Sequence, residues 1–268
     1  MSMPQRIAWG VLAVILTGAA FANWIVPASF ERQFRDQIQA PPSQAHPLGT
    51  DDLGRDRLSR LLYGTQVSLL LAPAAAFLAT LLAGLAGTVA GWRGGWLDQA
   101  LGSACDLTLS LPWMFLLLTV RAALPLDVAP MASVAITFFL LGVLGWAGPA
   151  RVVRAGARAL RDSDNVLMAR AQGYQGWRLP FFHLLPGLRP VLAAQFWTSL
   201  PLFILTEANL SLLGLGVVEP MPSWGGLLKE LENLAEVHRN PWILAPAALL
   251  LATLASLYIL MGAREETT

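Results

Sequence analysis

Charge is what this chain has least of. Only 13% of its 268 residues are Asp, Glu, Lys or Arg, while 55% are hydrophobic and mean hydropathy is +0.55. A soluble domain carries about 25% charged residues, so the deficit excludes an ordinary water-soluble fold and points to a membrane protein. Lysine is nearly absent, with Lys229 alone. A phosphate-binding loop of the G-x-x-x-x-G-K-[ST] type needs a Gly-Lys pair, but Lys229 follows Leu228, which excludes that loop. The single cysteine, Cys105, excludes an internal disulfide. Three histidines, His46, His183 and His238, lie far apart with no H-E-x-x-H spacing, and no Gly-x-Ser-x-Gly elbow occurs, which argues against an intramembrane enzyme. The net charge of +1 gives no general signal for nucleic acid.

Long uncharged runs are abundant. They cover residues 7–30, 61–92, 128–150, 190–206 and 240–263, and a helix needs about 20 apolar residues to cross the hydrocarbon core. The run from 190 is extended past Glu207 to Leu215. A sixth span is placed at about 100–121, although it holds Pro112. Small residues Gly84, Gly87 and Gly91 fall at spacings of three and four in the second run, which lets helices approach closely in lipid. Ala20-Phe21-Ala22 resembles a signal-peptidase site, but the apolar run is longer than a usual signal core, so an uncleaved first span is expected.

One polar stretch is basic: residues 151–189 hold Arg151, Arg154, Arg158, Arg161, Arg170, Arg178 and Arg189 against Asp162 and Asp164. A basic loop between apolar spans is expected to stay cytoplasmic. That sets six spans with both termini in the cytosol, and 10 of the 18 Lys plus Arg inside. Within the loop, Asp162-Ser-Asp164 is a helix-start signal, Val166–Gln172 is expected to be helical, and Gly173 suits the left-handed position that ends a helix. Trp177–His183 is expected to form a second short helix stopping before Pro186, so that the pair makes a protruding basic knob. A surface helix bound to anionic lipid is the competing reading.

On this topology residues 31–63 are extracytoplasmic. They carry Arg32, Arg35, Arg55, Arg57 and Arg60, against the usual bias, balanced by Glu31, Asp36, Asp51, Asp52 and Asp56. Asp51 or Asp52 is expected to cap a short solvated helix running through Arg60, with Gly54 a weak point. Glu207, about 26 Å along its helix from Pro190, is expected near the outer interface, and an ionisable residue in a span is a functional candidate.

Three blocks together carry a family resemblance. Gly173, nine residues, then His183-Leu-Leu-Pro186 resembles the coupling signature of ATP-binding-cassette importer permeases, though Leu167 stands where the family has Glu and Met168 where it has the first Ala. His46–Asp56 with Ser59-Arg60-Leu-Leu-Tyr-Gly64, and Leu205–Gly216 with Pro222-Ser-Trp-Gly225, resemble segments of its dipeptide, oligopeptide and nickel branch. The chain resembles the second permease subunit of that branch. The resemblance implies an all-α integral membrane protein with the type I importer fold. An N-terminal span and segment 1–45 would precede a permease domain over 46–268. Ala169, Arg170, Ala171, Gln172, Gly173, Tyr174, Gln175, His183 and Pro186 would form the ATPase-coupling contact. Gly49, Thr50, Asp51, Asp52, Gly54, Arg55, Asp56 and Glu207 would be extracytoplasmic or gate residues. It further implies inward peptide transport across the bacterial plasma membrane and no catalytic or metal residue in this chain. ATP and Mg would be held by two partner ATPase subunits. A second permease, an extracytoplasmic solute-binding protein and membrane lipid would be the other partners, with no nucleic acid. A nickel importer, and less so a channel or scaffold outside this family, are the alternatives.

Overall fold

A computed structural model describes residues 2–26, 28–123, 129–174, 176 and 178–265. In chain order the helices are α1 Met3–Ala20, α2 Ala22–Ile25, α3 Arg57–Arg93, α4 Gly95–Ser110, α5 Trp113–Ala123, α6 Pro130–Leu144, α7 Ala147–Arg161, α8 Asp164–Ala171, α9 Leu185–Leu212, α10 Trp224–Leu228, α11 Leu234–Arg239 and α12 Ala245–Glu265. Among the described residues there is no strand; two isolated antiparallel bridges, Gln33 with Arg55 and Thr50 with Asp56, fold residues 31–56 back on themselves.

Five helical stretches are long and apolar enough to cross a membrane: Met3–Ala20, Arg57–Arg93, Pro130–Arg161, Phe182–Leu212 and Pro241–Gly262. Gly95–Ser110 with Met114–Val120 makes a sixth if the pair, bent by 86°, counts as one span. The sixth span expected at about 100–121 is thus present only as this bent pair. Its break lies beside Pro112, which lacks an N–H and pushes Leu111 to extended backbone (φ −83°, ψ 133°). The first span also ends at Ala20, ten residues before the apolar run does.

The chain divides into two compact units. One comprises Met1–Ala72, Leu124–Thr137 and Pro201–Thr268; the other comprises Pro73–Ala123 and Phe138–Leu200. Helices α3, α6 and α9 each contribute to both.

In the first unit α1 lies along α12. Leu12, Ile15 and Ala19 on α1, and Leu250, Leu254 and Leu257 on α12, are buried at the three-to-four spacing that puts them on one helix face. Gln66 Nε2 donates to the Ala19 carbonyl at 2.6 Å, Tyr63 donates to Asn23, and the Phe30 and Tyr63 rings meet at 4.8 Å. These ties bring the start of α3 against the end of α1.

In the second unit α4 packs on α7. Ala147, Ala150, Val153 and Ala157 form a buried small-residue face of α7, and the arginines occupy its other faces. A Cβ on Gly87 would lie 2.9 Å from the Ala150 carbonyl, and one on Gly91 2.7 Å from the Arg154 carbonyl, so the glycine face of α3 is where α7 approaches its backbone. Gly84 faces Leu192 of α9 instead. Val153, Ala157, Leu184 and Leu188 close a second cluster with Trp92 and Leu160.

Candidate functional site

In the second unit, the basic stretch is mostly helix rather than loop. Pro130–Arg161 is helical, and so is Phe182–Leu212; the turns between them are short. Arg151, Arg154 and Arg158 lie on α7 and are spoken for by acids of α4. Arg154 Nε donates to Asp98 Oδ1 at 2.6 Å, Arg158 pairs with the other Asp98 oxygen, and Arg151 pairs with Asp106. Asp98 is buried, so its two arginines neutralise a carboxylate that could not stand there alone. Sequence reading missed Asp98; its signal was an acid one turn into a helix that follows the Gly94–Gly95 turn.

Helix α8 starts at an extended Ser163 and spans Asp164–Ala171, close to the expected bounds. Gly173 then takes φ +88°, its N–H bonding the Arg170 carbonyl at 3.0 Å while the Tyr174 N–H bonds the Ala169 carbonyl at 3.1 Å. That is the Schellman end of a helix, with glycine at the left-handed position where a Cβ is disfavoured. Val166 and Ala169 turn inward and are buried, whereas Leu167 and Met168 are 49% and 64% exposed and Arg170, Ala171, Gln172 and Gly173 face out. Ala169, expected as a contact residue, therefore seats α8 rather than presenting a surface. Arg170 lies over the Trp92 ring at 5.1 Å, an arrangement attractive between a guanidinium and an indole face. Tyr174 packs edge-on against His183 at 5.0 Å. Gln175 lies outside the described residues. The expected second short helix does not stop before Pro186. A π turn over Pro180–Leu184, closed by the Leu185 N–H on the Pro180 carbonyl, leads without a break into α9, so Pro186 sits exposed within a continuous helix, just past the widened turn.

In the first unit, the stretch 46–60 is not a solvated surface helix. Asp51, Arg55, Asp56, Arg57, Ser59 and Arg60 are all buried, as are His46 and Thr50; Asp52 alone among the acids stays exposed. The helix starts later than expected, at Arg57, and Asp56 is its cap. Asp56 Oδ2 accepts from the Ser59 N–H and hydroxyl, both at 2.7 Å, satisfying a donor that a helix start leaves free. Asp51 caps nothing helical: its Oδ1 accepts from the N–H groups of Leu53 and Arg55, and its Oδ2 accepts from Arg55 Nε at 2.7 Å. Thr50 accepts from the Ala40 N–H and donates to the Gln37 carbonyl. Gly54, at φ +75°, is no weak point; a Cβ there would overlap the Phe34 carbonyl, and Gly49 is equally tight against the Ala40 carbonyl.

The partners come from far along the chain. Arg55 and Arg60 both grip Glu219, and Arg57 pairs with Glu230. Burial alone would raise the Glu219 carboxyl, but the Arg60 and Arg55 guanidiniums outweigh it and hold the group below its ordinary value. Sequence reading assigned no role to Glu219 or Glu230 and matched the arginines with acids of their own segment.

Glu207, expected near the outer interface, is 1% exposed and pairs with no arginine among the described residues. Its Oε1 accepts from Ser211 Oγ and Ser223 Oγ, each at 2.7 Å, and among the described residues Oε2 has no hydrogen-bond partner. Ser223 Oγ also accepts from the Gly226 N–H, capping α10. Trp224 of α10 then donates through Nε1 to Thr65 Oγ1 at 2.9 Å and through its N–H to Ser68 Oγ at 3.2 Å. Two segments quoted separately from the sequence, 46–68 and 205–225, thus interlock in one polar core.

These features define an all-helical, multi-span membrane protein, with a glycine-capped exposed corner in one unit and a buried ion-pair lattice in the other. A family model described as binding-protein-dependent transport system inner membrane component matches residues 83–264. The chain is similar to the glutathione transport system permease protein GsiD of Pectobacterium atrosepticum, 32% identical over 93% of this chain and 79% of the relative. It is 31% identical to the oligopeptide transport system permease protein OppC of Haemophilus influenzae, over 91% and 77% of the two chains. With GsiD of Salmonella typhimurium it shares 35% over 82% and 71%. The chain belongs to the family of binding-protein-dependent transport system inner membrane components and is a permease of that kind.

Proposed function

We propose that this chain is the second permease subunit of an ATP-driven importer that moves small peptides inward across the bacterial plasma membrane. The observation that carries the reading is the α8–Gly173 corner: an exposed Leu167, Met168 and Tyr174 on a helix end that packing and a Schellman cap hold rigid. Such a corner suits insertion into a groove on a partner and transmission of force without bending.

In this reading two ATPase subunits bind ATP and Mg, since this chain lacks a phosphate-binding loop, and their closure pushes on α8. A second permease completes the path, and an extracytoplasmic binding protein delivers the substrate. Both termini are cytosolic, and residues 46–60 and 217–232 face outside. Peptides are the favoured cargo because the similar permeases carry oligopeptide and glutathione in their names. Purification of the tagged chain in mild detergent should recover an ATPase and a second multi-span protein. Reconstituted vesicles should then take up labelled di- or tripeptide only with ATP. Recovery of the chain alone, or peptide uptake without ATP, would sink the proposal.

A further inference from the structure

Arg55 and Arg60 converge on one carboxylate. Arg60 donates through Nη2 to Glu219 Oε1 at 2.8 Å and through Nη1 to Oε2 at 3.2 Å, and Arg55 Nη1 reaches Oε2 at 2.5 Å. One guanidinium thus engages both oxygens side by side, the geometry in which arginine reads a carboxylate most strongly. The exposures are unequal: the two arginine side chains are 7% and 2% exposed, the glutamate 56%. Receptor groups are inside and the group they hold is at the surface.

The receptor is built without Glu219. Arg55 Nε is fixed by Asp51 at 2.7 Å, and Asp51 is fully buried and held by the N–H groups of Leu53 and Arg55. Arg60 sits in the first turn of α3, with Nε 3.6 Å from the same Asp51. Glu219, by contrast, rides on a strap. The strap is anchored behind by the α9 end, where the Leu215 N–H bonds the Leu210 carbonyl, and ahead by Ser223 on Glu207. Between them, apart from a local turn at Glu219–Pro220, no backbone hydrogen bond ties residues 216–222 to the rest of the chain among the described residues, and the Glu219 carboxylate is the strap's polar fastening.

We propose that Arg55 and Arg60 form a carboxylate-binding site, held in this structure by the chain's own Glu219, and that the free C-terminal carboxylate of an incoming peptide takes its place. The peptide part rests on the function proposed above; the site itself does not. With Glu219 seated, Arg55, Arg60, Asp51 and Glu219 sum to zero charge. Lifting Glu219 away leaves the nearly buried Arg55 and Arg60 with Asp51 between them, since Glu230 beside Arg60 is already paired with Arg57, and that excess of positive charge is unfavourable. Exchange for another carboxylate restores the balance, so the strap opens when a replacement is at hand and closes when none is. A peptide amide offers no charge and does not open it.

The test uses the full chain in nanodiscs with its co-purifying subunits. Glu219→Ala empties the site. Its melting midpoint should drop by several degrees, and acetate at ~100 mM should restore most of the loss by mass action. Acetamide, or chloride at equal ionic strength, should restore none, and in the wild type, where the tethered Glu219 competes for the site, acetate should shift the midpoint far less than in the variant. Tripeptide with a free C-terminus should bind the variant at least ~10-fold more tightly than the C-terminal amide, the loss expected when a charged pair is broken. If the alanine variant is not recovered, Glu219→Gln keeps a carbonyl acceptor for one arginine, and the same comparisons are read on it. No acetate-specific rescue overturns the site. Rescue by acetate with equal binding of acid and amide overturns the exchange by peptide. A failure of the importer reading shows elsewhere, in the uptake assay, and leaves the acetate result standing.

Discussion

His46 Nδ1 stands 2.8 Å from Asp56 Oδ1, with side chains 4% and 0% exposed. The same carboxylate caps α3 through its other oxygen. One buried side chain thus both starts the helix and fastens the loop ahead of it.

Asp56→Asn should keep the cap, since Asn serves there as well as Asp. It loses the charged partner of His46. Asp56→Ala should lose both, about 0.5–2 kcal/mol for the cap and about 1–3 kcal/mol for leaving the buried His46 without its hydrogen-bond partner. Thermal melts of the detergent-solubilised chain should rank wild type, Asn, Ala in that order; an alanine variant as stable as asparagine would refute the double role.

Glu207 accepts from Ser211, one turn further along α9, and from Ser223, whose hydroxyl ties the 216–226 segment to α9. Glu207→Gln retains a carbonyl acceptor, while Glu207→Ala strands both donors, at about 1–3 kcal/mol each when buried. The alanine variant should melt well below the glutamine variant. Proteolysis near Trp224 should rise with it, because the α10 contacts to Thr65 and Ser68 depend on the same segment.

Gly173→Val places a β-branched residue at φ +88°, a strain of about 1–3 kcal/mol that the open surroundings do nothing to raise. The chain should still insert and melt within a few degrees of wild type. ATP-dependent uptake should fall at least ~10-fold, as a misplaced corner no longer seats. Normal uptake would remove Gly173 from the coupling path.

Leu167 and Met168 are exposed on α8. Changing both to Glu adds charge to a surface proposed to be buried against an ATPase, and leaves the inward Val166 and Ala169 untouched. Co-purification of the ATPase should be lost while the second permease is retained. Loss of both partners, or of neither, would place the ATPase contact elsewhere.

The Glu219 carboxyl is held below its ordinary value of 4.5. A folded-state pKa below the unfolded one contributes stability above the unfolded value, and that contribution disappears as pH falls through the folded one. The stability difference between wild type and Glu219→Gln should therefore be flat from about pH 6 to pH 8 and shrink toward zero below ~4.5. A difference that grows on acidification would contradict the pairing with Arg55 and Arg60.

Much of this protein follows from composition and local pattern. Scarce charge and long apolar runs require helices in lipid, because backbone groups there must be satisfied within each segment. The α8 bounds and the Gly173 cap were legible because they depend on residues four or five apart. Small residues at Gly87 and Gly91 foretold a close helix approach for the same local reason. Long-range pairing was not legible. Arg55 and Arg60 could have been solvated and matched by their neighbours Asp52 and Asp56. Only the tertiary structure brings Glu219 to them across 164 and 159 residues, and buries the two arginines. Likewise Glu207 could have sought an arginine, but the fold presents two serines. Whether Pro186 ends a helix or lies within one also depended on the π turn before it running on into α9. Local sequence fixes which segments are helices; the choice of partner for each buried charge is made by the packing that excludes water from it.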